Sequence, residues 1–151
     1  MRVEARAHIR ATPEQVWSFI TVPENGPRWQ EAAVWTRRTS GGPIGTGSSM
    51  DHLGKWLGMR VRTVAVVTLF EPPRRYGYDI ISRFSRGPSR MRYELAPAPG
   101  GSELALSNEA QLPAWVKPFG LLLERNVQGM FERDVQRLKA VIESEVGTNA
   151  S

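Results

Sequence analysis

The chain has 151 residues, 40% of them hydrophobic, which is enough to build the core of one domain, and 20 Lys and Arg against 15 Asp and Glu leave a net charge of +5. It contains no cysteine, which excludes disulfides, thiolate nucleophiles and zinc-thiolate sites and fits a reducing compartment. Charges at every second residue from Arg2 to Arg6 rule out an apolar signal segment, and no run approaches the roughly 20 apolar residues of a membrane helix, so a soluble cytoplasmic protein without membrane insertion is expected.

Val3, Ala5, Ala7 and Ile9 alternate with Glu4, Arg6, His8 and Arg10, the pattern of a half-buried strand. Thr12-Pro13-Glu14-Gln15 then supplies an N-cap, a proline in the first turn and a capping-box Gln ahead of Val16, Trp17, Phe19 and Ile20. A short helix ends before Pro23, and after the Pro23–Pro27 break Arg28-Trp29-Gln30 allows one further helical turn before a strand over Ala33–Arg37. Strands are predicted over Thr46–Trp56 and Met59–Phe70, with a hairpin within Gly54–Gly58, then over Tyr76–Phe84, Arg90–Leu95 and Glu103–Gln111. Single turns between them imply an antiparallel meander of about seven strands in all.

After Leu112-Pro113 the period changes: Val116, Phe119, Leu123, Val127, Met130 or Phe131, Val135, Leu138 and Val141 or Ile142 recur at helical spacing. With Pro118 in the first turn and Glu145 at the end, this helix is about 42 Å long and can span the sheet. One domain over residues 1–146 is expected, with residues 147–151 as a disordered tail.

The order of one strand, two short helices, an uninterrupted meander and a long final helix resembles the α+β helix-grip fold. On Ala11–Ile20, Trp29, Gly45-Thr46-Gly47, Val67–Arg75 and Phe131–Lys139, the chain is similar to the START-like superfamily, within it the polyketide cyclase/dehydrase and lipid-transport-like (SRPBCC-type) group of bacterial proteins. This resemblance spans nearly the whole chain and implies a curved sheet wrapped around the C-terminal helix. The superfamily holds cyclases, carriers, receptors and regulators on one scaffold, so fold alone does not select among them.

A sheet bent around a helix leaves a gap wherever inward side chains are small. Arg60 and Arg62 set the phase of their strand and place Met59, Val61, Thr63, Ala65 and Val67 inside, where Thr63 and Ala65 leave room. The same alternation turns Met91, Tyr93 and Leu95, and Leu104, Leu106, Asn108 and Ala110, inward, so that Tyr93 and Asn108 are inward polar groups needing protein, water or ligand partners. Gly129 within the long helix marks either a close helix-sheet contact or a cavity wall, with Asn126 on its side.

If Ser48, Met50, His52 and Trp56 share the inner face, His52 borders the cavity as the one candidate acid-base histidine; if a bulge shifts the phase, Asp51 takes its place. A satisfied structural histidine is the competing reading. Two histidines and no cysteine support no metal site, Gly42, Gly45 and Gly47 lack the context of a phosphate loop, and no cofactor is expected.

The expected partner is a small hydrophobic molecule, a lipid, polyketide or aromatic compound, bound among Met50, Trp56, Val61, Thr63, Ala65, Tyr78, Met91, Asn108, Leu122, Asn126 and Met130. The alternative is a cyclase or dehydratase in which His52, with Tyr93 or Asn126, moves protons or orients a carbonyl. A third reading sets Arg60, Arg62, Arg90 and Arg92 on the outer face against an anionic partner, but Asp79, Glu94 and Glu103 dilute that patch and no nucleic acid is expected. The chain is expected as a monomer or homodimer.

Overall fold

The alternation at the N-terminus forms β1 (Arg2–Ile9), whose apolar residues are buried and whose charged ones face out. The computed structural model describes residues 1–56, 58–82 and 86–149. In α1 (Pro13–Ile20), Thr12 Oγ1 accepts from the Gln15 N–H at 3.2 Å and Gln15 Oε1 accepts from the Thr12 N–H at 2.8 Å, the reciprocal cap expected from the sequence. The Pro23–Arg28 stretch is itself a 3-10 helix, so the second helical turn lies on the proline-rich break and not beyond it.

The meander follows as β2 (Ala33–Arg38), β3 (Ser49–Trp56), β4 (Met59–Glu71), β5 (Arg75–Ile81), β6 (Ser89–Ala98) and β7 (Gly101–Glu109). All seven strands form one antiparallel sheet in the order β1-β7-β6-β5-β4-β3-β2. β3 begins at Ser49, later than the sequence indicates, because Gly47 takes a left-handed φ of 93° in the preceding turn. Gly54 lies inside β3 opposite Val61, and Gly58, with φ 76°, supplies the turn. The strand expected to reach Phe84 is described to Ile81; Phe84 lies outside the described residues.

A bulge in β4 between Val67 and Leu69 reverses its phase. Val67 faces the core before it, and after it Phe70 meets Trp17 edge-on at 5.2 Å. Trp17 also contacts Tyr76 at 5.9 Å, which ties α1 to the sheet by aromatic packing.

Ala114–Phe119 forms a 3-10 helix that contains Pro118, and the long helix α2 (Gly120–Asn149) starts after it. α2 runs past the expected end at Glu145. Val127, Phe131, Val135, Leu138 and Ile142 are its buried stripe. α2 also covers the free edge of β1: Gln128 donates to the Glu4 carbonyl at 2.6 Å and accepts from the Glu4 N–H at 3.2 Å. Further along, Lys139 donates to the His8 carbonyl at 2.8 Å and Glu143 accepts from the Arg10 N–H at 3.0 Å. Side chains of the helix thus complete hydrogen bonds that an edge strand would otherwise offer to another chain. No helix among the described residues is long and apolar enough to cross a membrane.

Candidate functional site

Between the concave face of the sheet and α2 lies a cavity of about 340 Å³. Its walls are mainly apolar. Ala33, Met50, Trp56, Ala65, Ile80 and Met91 come from the sheet, Trp29 and Ala32 from the segment leading into β2, and Leu123, Val127, Met130 and Phe131 from α2.

Polar groups enter in three clusters. Around β3, His52 faces the cavity with Nδ1 2.8 Å from Thr36 Oγ1. Burial holds the imidazole below its ordinary pKa, so it stands neutral at pH 7. Across the β3–β4 ladder from His52, the Thr63 hydroxyl is buried without a hydrogen-bond partner among the described residues. Asp51 points the other way and pairs with Arg62, with Arg37 at 3.6 Å; the Arg62 hydrogen bond holds its carboxyl below the usual range. The phase left open by the sequence is therefore settled: His52 is inside and Asp51 outside.

The second cluster joins β5 and β6. The Tyr78 and Tyr93 hydroxyls are 3.0 Å apart, the Gln30 amide also hydrogen-bonds Tyr78, and burial raises the pKa of both phenols. Asp134 of α2 adjoins this group, with its side chain 5% exposed. It accepts from the Glu31 N–H at 2.9 Å and has Arg137 at 3.7 Å. Burial nevertheless outweighs these partners and pushes its carboxyl up to about 6. The third cluster is Asn108, whose amide donates to Ser89 Oγ at 2.8 Å.

A family model described as polyketide cyclase / dehydrase and lipid transport matches residues 1–143. The chain belongs to this family. Solved structures share the fold of this polyketide cyclase/dehydrase family member. Protein TTHA0849 from Thermus thermophilus is 19% identical, with each chain covered over 100% and a TM-score of 0.75. Protein CV1439 from Chromobacterium violaceum is 18% identical, with 94% of this chain and 96% of that one covered and a TM-score of 0.68. The di-domain ARO/CYC StfQ of the steffimycin biosynthetic pathway is 14% identical; 97% of this chain covers 51% of StfQ, with a TM-score of 0.76. A comparison with curated proteins finds no match.

Of the residues singled out from the sequence, Met50, His52, Trp56, Thr63, Ala65, Tyr78, Met91, Tyr93, Asn108 and Met130 line the cavity. Val61 is half-buried beside it but is not part of the lining. Leu122 and Asn126 require correction. Both are exposed, Leu122 at 71%, because the inward face of α2 lies one residue further on, at Leu123 and Val127. One helical position is a rotation of about 100°, enough to turn a side chain from wall to solvent. Gly129 is not in the lining either; a Cβ there would meet the flexible end of Arg133, so neither a close sheet contact nor a cavity wall accounts for it.

Asp134, Gln30 and Thr36 were missed. Asp134 carried a signal, since it falls seven residues after Val127 on the apolar stripe of α2, where a carboxylate is out of pattern. Gln30 and Thr36 lie in a stretch with no usable period. On the convex face Arg62 pairs with Asp51, and Arg90 and Arg92 lie 3.6 and 3.9 Å from Asp79, so the basic patch is partly neutralised.

Proposed function

We propose that the protein binds a small hydrophobic molecule in the cavity between sheet and α2, as a carrier or binding protein. The observation that carries this reading is the mainly apolar cavity of about 340 Å³, within the size range of small-molecule sites. Membership of a family described by lipid transport as well as cyclisation is consistent with it. Its test is denaturation and solvent extraction of protein purified from its own host, followed by mass spectrometry. A stoichiometric, chemically unmodified apolar compound supports the carrier. Protein recovered empty, which also takes up no apolar compound when soaked, refutes it.

A second reading, supported by the neutral His52 at the wall, is a cofactor-independent polyketide cyclase or dehydratase. Here His52 accepts a proton from an acidic carbon of a folded polyketide chain, the Tyr93 hydroxyl hydrogen-bonds the carbonyl whose oxygen gains charge, and the apolar walls exclude water. His52→Ala then lowers turnover of a candidate polyketide by about a hundredfold or more. Turnover unchanged in both His52→Ala and Tyr93→Phe defeats this assignment.

A further inference from the structure

The charge inventory of the cavity narrows the chemistry of its ligand. Among the described residues, no lysine or arginine lines it, and Asp134 is the one carboxylate that does. His52 and the three tyrosines of the wall are held in uncharged forms by burial. The Met1 amino group, whose residue also borders the cavity, donates to the Ala110 carbonyl at 2.9 Å. Met1 precedes Glu4, which Gln128 holds, and Asp134 lies about 9 Å beyond Gln128 along α2. A fatty-acid carboxylate or a phosphate placed in the cavity would therefore find no basic lining side chain to receive it and, at pH 7.5, the ionised Asp134 carboxylate opposing it.

The surroundings of Asp134 suit the opposite charge. Trp29 and Tyr93, 3% and 2% exposed, meet edge-on with centroids 6.3 Å apart, and Tyr76 and Tyr78 extend the aromatic group, with Tyr76 and Tyr93 centroids 5.3 Å apart. Electron-rich ring faces beside a carboxylate form an environment that attracts an organic cation, above all when water is excluded. Arg137 and Arg133 face Asp134 from α2 itself, Glu31 from the segment before β2, and Tyr93 from β6. Both arginines extend to solvent, where the Arg137 and Arg133 side chains are 44% and 57% exposed, and neither is among the residues that line the cavity.

Building on the cavity reading above, we infer that the ligand is an apolar molecule bearing one protonated amine, seated with its ammonium beside the Asp134 carboxylate and the rings of Trp29 and Tyr93. The amine forms a charge-assisted hydrogen bond, and the hydrocarbon part fills the space toward Met91, Met130 and Leu123. Asp134 thus selects against acidic lipids as well as for amines.

The test is displacement of the uncharged dye N-phenyl-1-naphthylamine by a matched set, octylamine, octanol and octanoate, at pH 7.5 and pH 4.5. At pH 7.5 octylamine displaces the dye about tenfold more effectively than octanol, and octanoate is the weakest. The amine stays charged at both pH values. Its advantage falls to within about twofold at pH 4.5, as Asp134 takes up a proton, and in Asp134→Asn at either pH. Glu94→Gln, the same change of charge on the exposed face of β6, keeps the amine preference. The pH series on the unaltered protein stands without any variant. Dye uptake with octanol or octanoate as effective as octylamine at pH 7.5 overturns the inference and leaves the cavity reading intact. Absence of dye uptake, together with no heat on titration of octylamine, overturns both.

Discussion

Replacing Asp134 by Asn should stabilise the protein at high pH and make little difference at low pH. The carboxyl is almost wholly buried and its pKa rises from 3.8 to about 6 on folding. An acid with a raised folded pKa binds more protons folded than unfolded between these values, so stability is highest below 3.8 and is lost as the pH climbs through about 6. The loss between pH 4.5 and pH 8 is on the order of 2 kcal/mol. Asn keeps the shape and can still accept the Glu31 N–H through its amide oxygen, but it carries no charge to desolvate. Urea denaturation of both proteins at several pH values isolates the effect, because titrations elsewhere cancel in the difference. The stability of Asp134→Asn relative to the parent should rise by about 2 kcal/mol from pH 4.5 to pH 8. A difference independent of pH, or one that falls as pH rises, refutes the claim that the carboxylate is held at a desolvation cost.

Thr63→Val removes a buried hydroxyl that has no partner among the described residues and keeps the β-branched shape, so ligand-free protein should gain about 1 kcal/mol in urea denaturation. Gln128→Ala removes both hydrogen bonds to Glu4 on the edge of β1 and should cost about 1 to 2 kcal/mol, with faster amide exchange at Glu4 as a local readout. Thr12→Ala deletes the side-chain cap of α1 and should lower stability by about 1 kcal/mol without altering dye uptake.

The fold was legible because its elements carry different periods. β1, β6 and β7 each alternate cleanly, and a period-2 pattern has only two phases, one of which buries charge. The long helix was equally plain, but its phase was not. Leucines at 121, 122 and 123 satisfy any of three faces, and only packing against the sheet selects Leu123. His52 and Asp51 presented the same ambiguity in a strand. It is resolved by Arg62 and Arg37, which draw Asp51 to the convex side. Asp134 was hidden for a different reason: a charged residue on an apolar stripe reads as noise until the Glu31 N–H, contributed from a hundred residues away, is found to satisfy it. Thr36 and Gln30 reach their partners through tertiary contacts that no local pattern encodes.

Titration of N-phenyl-1-naphthylamine into the parent protein and into Met130→Trp, which projects an indole into the cavity from α2, tests most directly whether the space can receive a guest. The account predicts saturable uptake of one dye per chain, insensitive to salt, and its loss in the variant while the fold is retained. Dye uptake unchanged by Met130→Trp, or no uptake by the parent, would contradict it.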